Sequence, residues 1–339
     1  MSVAMKALVW VARNEMKIED VPKPEIPAGW VLVRVSMSGI CGSEVAAYQG
    51  LNELRVPPLT MGHEFSGIVE ETGTGSPEHL KDKLVAVNPM VTCGHCTYCL
   101  SGLRNLCQER RIIGAAFPGS FAEYVAVPAA SCHPVENPVA GAIAEPLATA
   151  LRAVDKCKFR TGDSAVVFGM GIIGLLVLKL LKLHGVEDCT AVDVNEGRLK
   201  TSLSMGAARV INGNDSNAIL NLRNAVGQGA DFSFDAVGLE STRAQCVDVI
   251  RRGGKAIFIG NHEASSRLGA NSIVRGELVV EGSYAYTDLE FSRAVKLAGT
   301  NFLDDRQNWI SVEPLANGPD VFRKLASNLI GSSKVMLTL

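Results

Sequence analysis

At 339 residues the chain is longer than one small domain needs, and two folding units are expected. Lys+Arg 33 against Asp+Glu 35, with no long block of one sign, excludes a basic nucleic-acid tail, a basic membrane patch and an acidic solvating arm. The opening MSVAMKALVW lacks the pattern of a signal peptide and no apolar run is long enough to span a bilayer, so a soluble, cytoplasmic protein is expected.

The first half predicts short strands at 6–11, 30–36, 66–70 and 83–87, punctuated by Pro and Gly. Near Thr161 the texture changes to alternating strand and helix. Strands are predicted at 164–168, 189–192, 208–211, 232–236, 255–259 and 277–281, with helices at 172–184 and 196–205. Six such strands make a complete doubly wound parallel sheet. Helices at 289–298 and 319–327 and a strand-like tail at 334–339 close the chain, which shows no internal repeat.

Gly169, Gly171 and Gly174 follow the strand SAVVF and open the helix IIGLLVLKLL. In that context a GxGxxG set supplies a tight turn, a close approach for pyrophosphate, and helix-on-strand packing, with the helix N-terminus facing the phosphates. Asp193 ends the next strand, where a carboxylate binds both ribose hydroxyls and repels a 2′-phosphate, so NAD is favoured over NADP. Arg198 either lies solvated or over the adenine, or partly neutralises such a phosphate.

Cys93, Cys96, Cys99 and Cys107 read C-x2-C-x2-C-x7-C in a glycine-containing loop. Four thiolates so spaced close a tetrahedron around Zn²⁺ and leave no open position, the mark of a structural site. The spacing differs from the common ferredoxin runs. Three further segments each present a metal-capable side chain beside Gly or Pro: Cys41 in SGICGSE, His63 and Glu64 in PLTMGHEFSG, and Glu145 in AIAEPLATA.

Taken in order, GICGSE, GHEFSG, the four-cysteine lobe, GSFAEYVAVP, AEPLATAL, GMGIIG, AVDVNEGRL, FDAVG and GSYAYT resemble the zinc-containing medium-chain dehydrogenases, the family of alcohol, sorbitol and threonine dehydrogenases. The resemblance spans nearly the whole chain. It implies a GroES-like β-rich catalytic domain from 1–155 and 288–339, carrying a structural zinc lobe at about 88–110. It also implies a Rossmann NAD-binding domain at 156–287, with the active site of the family lying between the two. Cys41 and His63 would bind a catalytic zinc, with Glu64 or Glu145 as third protein ligand. Alcohol dehydrogenases of the family use two Cys and one His. Glu145 at the third position points instead to the sorbitol and threonine branch.

By the same resemblance Ser43 passes the alcohol proton toward the cofactor ribose. Ile173, Val237, Ile259, Gly260, Ser283 and Tyr284 would line the cofactor beside the glycine turn. Tyr48, Phe117 and Tyr286 would meet the substrate. The implied reaction is hydride transfer from a secondary alcohol, of polyol or sugar-alcohol type, to NAD. The reason for metal is that an alcohol is a poor hydride donor until its hydroxyl proton leaves, and Zn²⁺ lowers the pKa of bound water from about 16 to about 7. Many relatives have Asp where Glu44 stands and, at Ala46, a His that extends the proton relay, so the relay here ends at the ribose or water or uses another group. Sorbitol-like enzymes have Arg at Ala285, and its absence weakens the case for sorbitol itself. A zinc-binding NAD sensor without turnover and a dehydrogenase for a phosphorylated sugar alcohol are the alternative readings. A homodimer or homotetramer is expected, with neither nucleic-acid nor membrane partners.

Overall fold

The near-continuous apolar run WVLVRVSMSG forms the strand Trp30–Gly39, which is buried along most of its length. It lies at the centre of a seven-stranded sheet, antiparallel to Glu64–Thr72, Tyr124–Pro128 and Lys334–Thr338. Val31, Val33 and Val35 repeat at period two into one core with Phe65, Val85 and Val125. Val335 and Leu337 repeat likewise into a second core with Trp10, Phe121 and Phe322. The C-terminal strand is thereby stitched beside an early one. Residues 4–52 and 54–339 are described by this computed structural model.

The chain divides into two units, Met1–Glu145 with Thr287–Leu339, and Pro146–Tyr286. The division falls inside the 17-residue helix Pro138–Val154, ahead of the boundary expected at 155. That helix was not anticipated from sequence. Its Ala-rich face is buried almost throughout, its polar stripe is only Glu145, Thr149 and Arg152, and Pro146 interrupts the pattern.

In the second unit six strands pair in parallel. Their order is Arg209–Asn212, Asp188–Asp193, Ser164–Phe168, Ala230–Asp235, Ile250–Phe258 and Val279–Gly282. The first strand in sequence, Ser164–Phe168, is central, so the order reverses beside it and a crevice opens at the strands' carboxyl ends. This is the doubly wound α/β sheet expected. One boundary moves: Glu277 takes the left-handed conformation (φ 50°) that ends helix Ala270–Gly276, and the edge strand begins at Val279. Among the described residues, no helix is long and apolar enough to cross a membrane.

Candidate active site

The sheet register assembles the first cluster. Strand Trp30–Gly39 ends opposite Glu64, and Lys334 opens the strand on its other side. The chain then turns at Ile40 into helix Gly42–Tyr48, with Cys41 as its N-cap residue. Gly62, at φ 103°, delivers His63; a Cβ there would lie 2.7 Å from the Phe121 backbone nitrogen, so only glycine fits. Ligand atoms of Cys41, His63 and Glu64 consequently all lie within 4.8 Å of one another. A thiolate, an imidazole and a carboxylate, three donors where zinc takes four, form a donor set suited to catalytic zinc.

Behind these ligands stands Glu44. It accepts hydrogen bonds from the backbone N–H of Cys41 (2.9 Å) and of Gly62 (2.8 Å), and pairs with Nδ1 of His63 at 2.8 Å. Fixing the Nδ1 proton on Glu44 leaves Nε2 as the imidazole's metal-binding atom. Burial lowers the basicity of His63, but the charges of Glu44 and Cys41 outweigh it and raise the imidazole to about 10. Burial raises the Cys41 thiol, and adjacent His63 outweighs it and brings the thiol to about 6. Four thiols elsewhere behave oppositely. Burial, the largest cause at each, pushes Cys132, Cys157 and Cys189 up to about 12 and raises Cys246. Cys41 is thus prepared as a thiolate ligand, whereas those four are inert.

Glu64 forms a buried ion pair with Lys334, whose Nζ also donates to the Ile40 carbonyl at 2.9 Å. Gly39 makes the pair possible: a Cβ there would sit 2.6 Å from Cε of Lys334 and 2.7 Å from Oε2 of Glu64. Burial pulls the ammonium down to about 8, which leaves it charged at neutral pH.

The second cluster is Cys93, Cys96, Cys99 and Cys107. Sγ of Cys93 lies 3.9 Å from that of Cys99 and 3.6 Å from that of Cys107. A ZnS₄ tetrahedron with Zn–S bonds of about 2.3 Å has edges of about 3.8 Å, so these thiols stand at the separation a closed zinc site requires.

In the second unit, Gly169 takes φ 85° directly after Phe168, and Gly171 begins the helix Ile172–Leu183 with nothing within 4 Å of where its Cβ would be. That open face is where a pyrophosphate can meet the backbone. A Cβ on Gly174 would collide with the Gly169 carbonyl. Asp193 accepts from the Met170 N–H at 2.6 Å and the Asn195 N–H at 2.8 Å, and Nη1 of Arg198 is 4.0 Å from it. At the carboxyl ends of the neighbouring strands a cavity of about 470 Å³ is lined by Ile259, Gly260, Ser283 and Tyr284. The Ser283 hydroxyl is buried there with no hydrogen-bond partner among the described residues, as expected of a donor kept for a ligand. Val237 packs against the Gly169 turn.

Residues 27–137 match the alcohol dehydrogenase GroES-like domain, and residues 173–300 match the zinc-binding dehydrogenase family. The chain is 32% identical over 302 residues to (R,R)-butanediol dehydrogenase of Bacillus subtilis, covering 84% of this chain and 86% of that protein. This chain is a zinc-binding dehydrogenase of the medium-chain alcohol dehydrogenase family. Sorbitol dehydrogenase of Halalkalibacterium halodurans is 31% identical over 306 residues, 86% of this chain and 88% of that one. Among solved structures, a zinc-binding dehydrogenase from Sinorhizobium meliloti bound to NADP superposes with a TM-score of 0.91 at 29% identity, covering 99% of this chain and 100% of that one.

Within the dehydrogenase, Ser43 donates to the Cys41 sulfur at 3.3 Å. Glu145 lies in helix Pro138–Val154 and stands outside the group formed by Cys41, His63 and Glu64. Tyr48 is buried in the core against Phe322, with ring centroids 5.7 Å apart. Phe117 packs edge-on to Trp30, also at 5.7 Å, and Tyr286 is buried at the end of the second unit. Sequence reading missed two buried cations beside the ligands, Lys334 and Arg55. The one available signal for Lys334 was a charge opening the apolar strand KVMLT.

Proposed function

We propose that this alcohol dehydrogenase oxidises the secondary alcohol of a polyol or related hydroxy compound to the ketone with NAD. The observation carrying the proposal is the convergence of Cys41, His63 and Glu64, a set of three donors, in a chain that also bears the GMGIIG turn. These three residues would hold zinc, and the chemistry zinc supplies there is acidification of an alcohol hydroxyl. Glu64 takes the third-ligand role ahead of Glu145, because its carboxylate already stands beside the thiol and imidazole. Glu44 holds the His63 tautomer, and the Ser43 hydroxyl, beside Cys41, receives the alcohol proton and hands it toward the ribose or water. NAD, which the GMGIIG turn and Asp193 would hold, would supply the hydride acceptor, so that one proton and one hydride account for the two-electron oxidation.

NAD is favoured because Asp193 sets a carboxylate where a 2′-phosphate would lie. The Sinorhizobium meliloti relative holds NADP, so the preference of this chain rests on its own residues. Asp193→Gly is expected to shift the NAD to NADP ratio of kcat/KM toward NADP by at least about tenfold. An unchanged ratio would pass the discriminating role to Arg198. The function itself is tested by NADH formation at 340 nm over sugar alcohols, vicinal diols, hydroxy amino acids and simple secondary alcohols, with and without a zinc chelator. Chelator-sensitive turnover of one class supports the proposal. Absence of turnover on every class, with zinc and NAD bound, counts against it and favours a sensor.

A further inference from the structure

A second cavity lies at the opposite end of the six-stranded sheet from the cofactor cavity. It has a volume of about 410 Å³, within the range of small-molecule sites, and Arg223, Arg252 and Arg275 line it with Asp248 as the single acid. Its place follows from strand direction. Ile250 opens strand Ile250–Phe258 and Leu278 directly precedes strand Val279–Gly282, whereas the cofactor cavity lies past the far ends of the same two strands, at Ile259 and Ser283. Five residue steps of the neighbouring strand, from Ala230 opposite Ile250 to Asp235 opposite Phe258, hold the two cavities about 17 Å apart.

The floor of this cavity is apolar because it is the margin of the sheet's own core: Val247 and Ile250 are buried in that core and Leu278 packs against it. The rim is the unusual part. Arg223 and Arg275 stand in the last turns of helices Ala218–Val226 and Ala270–Gly276, where a cation commonly donates to the final carbonyls. Among the described residues neither guanidinium donates to a carbonyl, and none of the three arginines forms an ion pair within 4 Å, with Asp248 or any other acid. Arg251, next in the chain to Arg252, shows the ordinary arrangement, with Nε 2.6 Å from a carboxylate oxygen of Asp231. Three like charges gathered round one hollow repel one another, and a single carboxylate leaves two of them uncompensated. All three side chains are exposed, so a solute reaches them without rearrangement of the fold.

We propose that this cavity binds an organic phosphate, with the phosphate on the three guanidinia and an apolar or planar body on Val247, Ile250 and Leu278. A phosphate dianion matches the excess of two positive charges, and guanidinium forks meet its oxygens with paired hydrogen bonds. A single carboxylate carries half that charge, and inorganic phosphate leaves the apolar floor in water. The site is separate from the cofactor cavity, so it takes its ligand while NADH is bound.

The test is calorimetry at pH 8 on the zinc-loaded protein with NADH at saturation. AMP and phenyl phosphate are the organic phosphates, and adenosine, inorganic phosphate and citrate are titrated beside them. At least one of the two organic phosphates is expected to bind with a Kd below about 1 mM, and at least about tenfold more tightly than each of the other three. The double variant Arg223→Gln/Arg275→Gln weakens that binding at least about tenfold and Arg252→Gln at least about threefold, while NADH affinity is retained in both. Failure of both organic phosphates to bind below about 1 mM overturns the proposal. So does undiminished binding in the double variant, which places the phosphate elsewhere, and so does binding seen only without NADH, which places it in the cofactor cavity. Citrate bound more tightly than either organic phosphate overturns the phosphate assignment. Should the double variant fail to fold, undiminished binding in Arg252→Gln overturns the proposal.

Discussion

At the scale of single residues, Cys41 and His63, two of the three proposed zinc ligands, differ in protonation before any metal arrives, and that difference is measurable. Cys41, brought to about 6, is a thiolate at pH 8, whereas His63, raised to about 10, is still protonated. Zinc needs the neutral imidazole, so uptake at pH 8 is expected to expel about one proton, and affinity falls about tenfold for each pH unit lowered between 10 and 6. Below pH 6 the thiol must also deprotonate and the dependence steepens. Calorimetry in buffers of different ionisation enthalpy, on protein whose four-cysteine site is already filled, counts the protons. Two released at pH 8 would mean an ordinary thiol, and none would mean a neutral imidazole. Lys334 makes a separate prediction. Lys334→Met leaves the Glu64 carboxylate buried and unpaired, at a cost of about 3–5 kcal/mol. A bound cation would compensate that carboxylate, so the variant should lose more melting temperature in the chelator-stripped form than in the zinc-loaded form. An equal loss in both would show that Glu64 does not face the metal.

At the scale of elements, the glycine turn is where sequence dictates geometry most directly. A methyl on Gly174 would collide with the Gly169 carbonyl, and helix Ile172–Leu183 cannot retreat because it is buried along Leu175–Val177 and at Leu180 and Leu181. Gly174→Ala is expected to cost about 1–3 kcal/mol and to weaken NAD binding at least about tenfold, while the zinc content stays unchanged. Wild-type NAD affinity in a fluorescence titration would contradict the role given to the turn. This turn was legible in sequence because every determinant is local: an apolar strand, three spaced glycines, an apolar helix. The four-cysteine lobe was legible for the same reason, since its ligands fall within Cys93–Cys107. Helix Pro138–Val154 was not, because its polar face is only Glu145, Thr149 and Arg152 and a proline stands among them. Lys334 and Arg55 were illegible for a different reason. Lys334 meets a carboxylate 270 residues away, and Arg55 turns inward from a segment whose apolar neighbours stay exposed, so neither follows from spacing.

At the scale of the whole molecule, the six-stranded sheet ends on Val279–Gly282, which pairs on one side with Ile250–Phe258 and, among the described residues, has no strand on the other. An edge of this kind is a template for further pairing unless something covers it. Exposed apolar residues crowd it: Val279 is 46% exposed, and Val274, on the short helix just before, is 75% exposed. A two-fold axis at the edge would pair the strand with its own copy, extend the sheet, and bury both valines in one isologous contact. Sedimentation is therefore expected to show a dimer or a larger even oligomer at micromolar concentration. Val279→Lys should weaken it by setting like charges against each other across the axis, with zinc content and NAD affinity of the remaining monomer retained. A wild type that sediments as a monomer at every concentration would refute the edge as a subunit contact. Dissociation accompanied by loss of NAD binding would show instead that the substitution damages the sheet, and Val274→Lys, which lies off the strand, separates those two causes.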